Sequence, residues 1–170
     1  TSMASHILLV GGFDPTICVG GILPAIGGNL RLGHSGTFIT EACEYTNSFL
    51  SFFPKISIIL NMDADHLDFF KDIDDIRHSF RRFAELLPAD GTLIINADTP
   101  KYEDIIRDLP CNVITYGLEH DADYHAADIT YDKYGHASFT VLKDGRKAGS
   151  FYLKVPGSHN VSNALAAIAL

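Results

Sequence analysis

The sequence predicts an α/β fold: a mostly parallel sheet flanked by helices, with a small antiparallel β-meander appended to it. Two apolar runs without period-2 alternation, residues 56–60 and 91–96, are typical of strands buried on both faces of a parallel sheet. Helical patterns separate these runs, and strands that alternate with helices indicate right-handed βαβ units. Beyond Gly117 the pattern changes to period-2 alternation with short polar turns, which predicts the meander.

The first part of the chain predicts only short elements. They are a helix over 2–9 that ends at Gly11-Gly12, strands over 16–19 and 37–40, and an apolar turn or short helix over 48–53. The glycine-rich stretch 20–36 is predicted to be too irregular for a helix or a strand. Because Thr1 opens directly into a helical pattern and the last helix ends without a cap, we expect the chain to be a piece of a larger protein.

Strands and helices then alternate. The predicted elements are strands over 56–60, 91–96 and 112–116, an amphipathic helix capped by Asp72 or Asp74, and a short helix over 102–109. The parallel part is expected to comprise about 1–117 and 157–170. The antiparallel part, about 120–156, is predicted to contain strands over 128–132, 137–142 and 150–155. The final segment predicts a helix with His159 or Asn160 as its N-cap.

Composition bounds the function. The 170 residues carry a formal net charge of −8, which argues against nucleic acid as a partner because phosphate binding requires a basic face. An acidic protein can still bind nucleotides through backbone amides, a few cations and Mg²⁺. Three widely spaced cysteines without a CxxC pair favour a reducing cytoplasm over a disulfide framework. No apolar run is long enough to predict a membrane span.

The loop after the run at 56–60 is the main candidate site. It carries three carboxylates and an imidazole, Asp63, Asp65, His66 and Asp68, at a position where α/β enzymes bind ligands. Carboxylate oxygens are suitable ligands for Mg²⁺, and histidine is a good ligand for Mn²⁺. The alternative, a solvated loop that leads into the cap at Asp72, is equally compatible with the pattern.

Three other segments are candidates. Glu41, with Glu44 three residues on, follows a predicted strand and could complete a metal site if the next strand is adjacent; it could also cap the following turn. Asn160 and Asn163 could bind an adenine edge, or simply begin a helix. Arg31 in the glycine-rich stretch could pair with a phosphate, or lie on a surface connection. No GxxxxGK[ST] sequence is present.

Three segments in order resemble a known family. FITEACEYTNSF at 38–49, ILNMDADHLD at 59–68 and GSHNVSNALAA at 157–167 are similar to the central domain of the Mur ligases, ATP-dependent amide-forming enzymes of peptidoglycan synthesis. The resemblance covers essentially the whole chain and implies a P-loop NTPase-like fold. The segments GGIL at 20–23, GGNLRLG at 27–33 and EACE at 41–44 resemble most the branch that adds L-alanine to UDP-N-acetylmuramate.

The resemblance implies roles for eight residues. Glu41 and His66 match the family's catalytic ligands of Mg²⁺ (or Mn²⁺) around the ATP phosphates. The residues that match positions near the adenine and ribose of ATP are His159, Asn160 and Asn163. The residues that match positions near the UDP-sugar substrate are Arg31, Glu44 and Ser48. The implied reaction phosphorylates the muramoyl carboxylate to an acyl phosphate, which the amine of L-alanine then attacks.

The resemblance also implies what lies outside the chain. The family's P-loop is expected immediately before Thr1, and a UDP-binding N-terminal domain and an amino-acid-binding C-terminal domain are expected beyond the two ends. The chain alone is therefore expected to be inactive. The alternatives are another Mur or folylpolyglutamate-type ligase, a non-catalytic nucleotide- or metal-binding module, and a metal-dependent hydrolase that uses Asp63, Asp65 and His66 as a complete site.

Overall fold

A computed structural model describes all residues from 1 to 170. The chain divides into two compact units, which are described separately: an N-terminal unit of Thr1–Cys43 together with Leu170, and a C-terminal unit of Glu44–Ala169. None of the helices combines the length and apolar character that crossing a membrane requires.

The N-terminal unit contains helix α1 (Ser2–Val10) and a three-stranded sheet. The strands are β1 (Thr16–Leu23), β2 (Gly28–Arg31) and β3 (Phe38–Thr40), in the order β2-β1-β3. β1 pairs with β2 antiparallel and with β3 parallel. The prediction that 20–36 forms no strand is wrong. The chain reverses direction through a 3₁₀ turn at Pro24–Ile26 and Gly27, whose φ of 68° suits glycine. Glycines in this segment therefore form the reversal between two paired strands, β1 and β2.

The C-terminal unit is built on a six-stranded sheet in sequence order. Its strands are β4 (Ile56–Ile59), β5 (Thr92–Asn96), β6 (Asn112–Gly117), β7 (Tyr124–Tyr131), β8 (His136–Lys143) and β9 (Arg146–Pro156). The first three pairings are parallel and the last two are antiparallel. This confirms the predicted fold class of a mostly parallel sheet with an antiparallel meander. The two parts form one continuous sheet, because β6 and β7 pair through Tyr116 and Tyr124.

The C-terminal unit also contains three helices, α2 (Ile73–Ala84), α3 (Tyr102–Ile106) and α4 (Ser158–Ala169). α4 packs against strands β5 to β9, and α2 packs against α3. Asp72 is the N-cap of α2 and accepts hydrogen bonds from the backbone N–H groups of Asp74 and Asp75, at 3.1 and 2.9 Å, which confirms one of the two predicted caps. α4 begins one residue before His159. The prediction that His159 or Asn160 caps this helix is therefore wrong, and both residues lie in its first turn.

The core of the C-terminal unit surrounds β5, in which Leu93, Ile94 and Ile95 are buried as predicted. A stacked pair of rings, Phe49 and Phe83 with centroids 4.6 Å apart, joins α2 to the segment before β4. β4 lies at the edge of the sheet, and its Ile56 is 47% exposed. The prediction that this strand is buried on both faces is therefore wrong at Ile56, because an isoleucine run does not distinguish an edge strand from a central one.

Candidate functional site

The loop that follows β4 is shaped by its own carboxylates. Asp63 accepts hydrogen bonds from the Asn61 amide at 2.5 Å and, through its carbonyl, from the Asp65 N–H at 2.8 Å. Asp65 Oδ1 accepts from the His66 N–H at 2.7 Å. These bonds hold His66 in the left-handed region at φ 53°, a conformation that a non-glycine residue adopts only where its surroundings impose it. Asp63 and Asp65 therefore determine where His66 sits.

The imidazole of His66 lies among three side chains from two segments, and we refer to Glu44, Tyr45, His66 and Asp68 as the His66 cluster. His66 Nε2 is 3.5 Å from Glu44 Oε1, and the two side chains are 34% and 35% exposed. The Tyr45 ring packs against the imidazole in a tilted arrangement, with centroids 4.7 Å apart and planes 31° apart. The Tyr45 hydroxyl donates to Asp68 Oδ2 at 2.6 Å. This hydrogen bond lowers the pKa of Asp68 and raises the pKa of Tyr45.

The turn that carries Tyr45 is conformationally unusual. Thr46 and Asn47 are both left-handed, at φ 54° and 58°. The buried hydroxyl of Ser79 in α2 donates to Asn47 Oδ1, which fixes the turn to the helix. Ser48, a predicted substrate contact, donates to the Tyr45 carbonyl at 2.9 Å. In this arrangement the Ser48 hydroxyl stabilises the turn.

The His66 cluster fits part of a metal site. Two neighbouring ligands of an octahedral Mg²⁺, each about 2.1 Å from the ion, lie about 3 Å apart. The 3.5 Å between His66 Nε2 and Glu44 Oε1 is close to that spacing, and Mg²⁺ commonly takes only one or two protein ligands beside water and phosphate. The chain contains no group of three or more His, Cys, Asp or Glu side chains placed to hold a metal, so the complete Asp63–Asp65–His66 site of the hydrolase alternative is not formed.

Glu41 lies in the N-terminal unit, directly after β3. Its Oε2 accepts a hydrogen bond from the Gly20 N–H at 3.0 Å, and a Cβ on Gly20 would lie 3.2 Å from the same oxygen. β3 and β4 belong to different sheets. The premise that Glu41 and His66 follow adjacent strands is therefore wrong, and a metal shared by these two residues stays a prediction.

Arg31 is paired within the N-terminal unit. Its guanidinium donates to Asp14 Oδ1 at 2.5 Å and to the Pro15 carbonyl at 2.7 Å. Asp14 Oδ2 also accepts from the His34 backbone N–H at 2.9 Å and lies 3.1 Å from His34 Nδ1. The hydrogen bonds from Arg31 and then from His34 lower the pKa of Asp14 from 3.8 to about 2. Arg31 keeps further N–H groups that an anion could share.

The three residues predicted to lie near ATP begin α4. Asn160 donates through Nδ2 to the Pro156 carbonyl at 2.7 Å, and its Oδ1 accepts from Asn163 Nδ2 at 3.5 Å. The exposed His159 ring lies over Gly157, where a Cβ would come within 2.6 Å of the ring. Since Gly157 also has φ 103°, only glycine suits this position. The contact between Asn163 Nδ2 and Asn160 Oδ1 places the two asparagines side by side, as their spacing of three residues predicts.

Sequence reasoning did not single out Tyr45, Asp14 or Asp98. Asp98, just beyond β5, accepts hydrogen bonds from the N–H groups of Leu118, Glu119 and His120, at 2.6, 3.1 and 2.9 Å. Desolvation raises the pKa of Asp98, but these N–H groups and the His120 ring together lower it below its ordinary value. A signal for Asp98 was available in the sequence, because a polar residue directly after a buried parallel strand lies at the ligand-binding edge.

Comparison with known proteins identifies the family. The sequence model of the Mur ligase middle domain matches residues 26–170. A curated relative, the UDP-N-acetylmuramate–L-alanine ligase of Lachnospira eligens, is 59% identical over 170 residues, which are 99% of this chain and 37% of that protein. The chain thus spans just over a third of the length of this relative.

Two solved structures have the same fold. The UDP-N-acetylmuramate:L-alanyl-γ-D-glutamyl-meso-diaminopimelate ligase from Neisseria meningitides matches with a TM-score of 0.86 and 29% identity, over 99% of this chain and 55% of that one. The UDP-N-acetylmuramate–alanine ligase MurC from Thermotoga maritima matches with a TM-score of 0.81 and 28% identity, over 99% and 37%. With the family match over most of its length, the chain belongs to the Mur ligase middle domain family.

Proposed function

We propose that the full-length protein carrying this chain is an ATP-dependent ligase of peptidoglycan synthesis that joins L-alanine to UDP-N-acetylmuramate in the cytoplasm. Residues 1–170 are its central domain, which binds ATP and Mg²⁺, and the protein's own N- and C-terminal domains supply the remaining contacts. The observation that carries the substrate assignment is the high identity, along nearly the whole chain, to an alanine ligase.

The proposed reaction has two steps. An oxygen of the muramoyl carboxylate attacks the γ-phosphorus of ATP, which gives an acyl phosphate and ADP. The amine of L-alanine then attacks the acyl carbon, and the tetrahedral intermediate expels phosphate as the amide forms. Mg²⁺, when bound, neutralises charge on the phosphoryl group in transfer.

Each part of this chain has a place in the proposal. His66 holds the metal with Glu41, and the His66–Glu44 spacing supports His66 as a ligand. Asn160 and Asn163, with His159, lie beside the adenine and ribose. Arg31, Glu44 and Ser48 face the UDP-sugar. In this proposal Asp14 orients Arg31, because its carboxylate holds the guanidinium from one side.

A second candidate is a ligase that adds a peptide to UDP-N-acetylmuramate. The observation that favours it is the TM-score of the tripeptide-adding structure, which is higher than that of the alanine-adding one. The two solved structures are about equally distant from this chain in sequence, at 29% and 28% identity, so they do not separate the two substrates. The 59% identity to an alanine ligase does favour L-alanine, and we give it more weight than the difference in TM-score.

The test measures phosphate release by the full-length protein with ATP, Mg²⁺, UDP-N-acetylmuramate and L-alanine. Release should require all of them, and L-alanine should not be replaceable by L-alanyl-γ-D-glutamyl-diaminopimelate. Release at the same rate without L-alanine or the UDP-sugar would contradict the proposal.

The metal assignment is tested in the same assay with His66→Ala and Glu41→Ala, each of which should raise the Mg²⁺ concentration needed for half-maximal rate. His78→Ala is the matched control, because His78 is an exposed histidine of α2. Equal Mg²⁺ dependence in all three variants would remove Glu41 and His66 from the metal site.

A further inference from the structure

We propose that Tyr45 and Asp68 are positioning residues for His66: the Tyr45 ring fixes the plane of the imidazole, and Asp68 fixes Tyr45 through its hydroxyl. The inference rests on the proposed function in one respect, the role of His66 as a metal ligand. It goes beyond the proposed function by giving Tyr45, and its hydrogen bond to Asp68, a role at the site.

The imidazole needs such a support. A metal-binding histidine usually donates its second ring N–H to a carboxylate or carbonyl, which fixes the ring. Neither ring nitrogen of His66 forms a hydrogen bond within the chain. The carboxylate nearest to Nδ1, Asp65 Oδ1, is 4.0 Å away, beyond hydrogen-bond distance. The contact that defines the ring plane is therefore the Tyr45 ring, at 4.7 Å between centroids.

The Tyr45 ring is itself held at both ends. Its hydroxyl donates to Asp68 Oδ2 at 2.6 Å, a length typical of a strong hydrogen bond to a carboxylate. Its backbone belongs to the turn that Asn47 fixes to Ser79 of α2. The edge of the Phe69 ring packs against it, with centroids 6.1 Å apart and planes 79° apart.

The arrangement links the two sides of the site. Tyr45 follows Glu44 directly, and Asp68 lies two residues after His66. The hydrogen bond between Tyr45 and Asp68 thus joins the segment that carries the carboxylate to the loop that carries the imidazole. Loss of this bond should let the imidazole of His66 move relative to Glu44, whose Oε1 lies 3.5 Å from Nε2. An imidazole that is less fixed in position should bind a metal more weakly.

The first experiment measures Mn²⁺ affinity in the full-length protein with a non-hydrolysable ATP analogue. Tyr45→Leu and Asp68→Ala should each weaken binding by about tenfold, the lower end of the effect of losing a partner of a metal ligand. Tyr45→Phe keeps the aromatic ring and should therefore lose less Mn²⁺ affinity than Tyr45→Leu. The matched controls Tyr134→Phe and Asp121→Asn, at exposed positions outside the site, should bind Mn²⁺ like the wild type.

A double-mutant cycle separates the two contacts. If the Tyr45 hydroxyl acts through Asp68, the double variant Tyr45→Phe/Asp68→Ala should bind Mn²⁺ as Asp68→Ala alone does. Full additivity of the two losses would show that the residues act independently, and would overturn the proposed link.

The second experiment is independent of metal and activity. In protein labelled with ¹³C-histidine, the Tyr45 ring should shift the His66 ring C–H signals upfield. The shift should persist in Tyr45→Phe, decrease in Asp68→Ala and disappear in Tyr45→Leu. A purely structural role would alter the thermal unfolding midpoint without this pattern.

The outcomes distinguish the two proposals. If Mn²⁺ fails to broaden the His66 signals of the wild type, the metal role of His66 is wrong, whatever the ring-current shift shows. If Mn²⁺ does broaden them but Tyr45→Leu and Asp68→Ala bind Mn²⁺ with wild-type affinity, the positioning role is overturned and the proposed function stands.

Discussion

The guanidinium of Arg31 donates to the carboxylate of Asp14, 17 positions earlier in the chain, at 2.5 Å. Asp14 also accepts a hydrogen bond from the backbone N–H of His34. The His34 side chain itself is 92% exposed. One carboxylate therefore contacts two basic side chains, those of Arg31 and His34. Because this ion pair occupies one side of the guanidinium, it should restrict the directions from which Arg31 could bind a phosphate.

We expect Asp14→Asn to raise KM for the UDP-sugar more than it lowers kcat, because the substitution weakens the hold on Arg31 without touching the reacting groups. The measurement is steady-state kinetics of the full-length protein. Asp121→Asn, an exposed acidic residue of the β6–β7 loop, is the control and should leave both constants unchanged. A fall in kcat alone would contradict the role of Arg31 in substrate binding.

The same substitution has a predictable pH dependence. The pKa of Asp14 is about 2 in the folded chain against an ordinary 3.8, so ionisation of this group stabilises the fold above pH 3.8. That contribution is lost as the pH falls from 3.8 toward 2. The difference in thermal unfolding midpoint between wild type and Asp14→Asn should therefore be constant at neutral pH and shrink through this acidic window. A difference that grows with acid would contradict the assignment.

Gly33 and Gly36, both in the glycine-rich stretch, should respond differently to replacement by alanine. A Cβ on Gly33 would lie 2.2 Å from the Asp14 carbonyl oxygen and 2.3 Å from the Pro15 carbonyl carbon, so the backbone must move. Gly33→Ala should therefore reduce the free energy of unfolding by about 2 kcal/mol or more. A Cβ on Gly36 would meet nothing within 4 Å, and Gly36→Ala should stay within about 0.5 kcal/mol of wild type. Urea denaturation of both variants checks this, and equal effects would contradict it.

Asn47 combines a left-handed backbone with a side-chain hydrogen bond to buried Ser79. Asn47→Gly keeps the backbone freedom and removes the hydrogen bond, so it should destabilise the fold by about 1–2 kcal/mol. Asn47→Ala should cost roughly 1 kcal/mol more, because alanine resists the left-handed region. Adding Ser79→Ala to Asn47→Gly should recover part of the loss, since no buried hydroxyl then lacks a partner. Equal stability of the Gly and Ala variants in urea would refute the backbone argument.

Asp98 organises the turn after β6. Asp98→Ala leaves the N–H groups of Leu118, Glu119 and His120 without their acceptor, and we expect a loss of about 2–3 kcal/mol in the free energy of unfolding. Amide hydrogen exchange should show reduced protection at these three residues. His120→Ala is the control, because it removes only the ring contact at 2.9 Å and should leave the three amides protected. Unchanged protection in Asp98→Ala would contradict the role of this carboxylate.

We also expect the contribution of Asp98 to the free energy of unfolding to depend on pH. Because its pKa is lowered in the folded chain, the ionised carboxylate stabilises the fold above its ordinary pKa, and this contribution is lost as the pH falls below that value. Wild type and Asp98→Asn should therefore approach each other in stability under acid. The check is a series of urea denaturation curves between neutral pH and acid.

Much of the fold follows from local sequence patterns. The buried run at β5, the Asp72 cap of α2 and the alternation in the meander are each decided by side chains within a few residues of one another. The pairing of Asn160 with Asn163 is likewise fixed by helical spacing. These features could be predicted because their energy comes from neighbours in the chain.

Two of the errors, at Ile56 and in the glycine-rich stretch, have a common origin. A run of isoleucines predicts burial, yet Ile56 is half exposed because β4 has a neighbour on one side only. The glycines of 20–36 suggested irregular structure, yet β1 and β2 pair across them. In each case the deciding partner is a strand whose position the local pattern does not contain.

The sequence alone decided most of the order of helices and strands, with β2 as the exception, together with the acidic loop with His66 and the motifs that indicate the family, because these depend on residue type and spacing. Tertiary structure decided which side chains meet: Glu44 with His66, Tyr45 with Asp68, and Arg31 with Asp14. These contacts join residues 17 to 23 positions apart, and their geometry depends on how two loops leave their strands. That direction is set by packing and by left-handed residues such as Asn47, which no periodicity encodes.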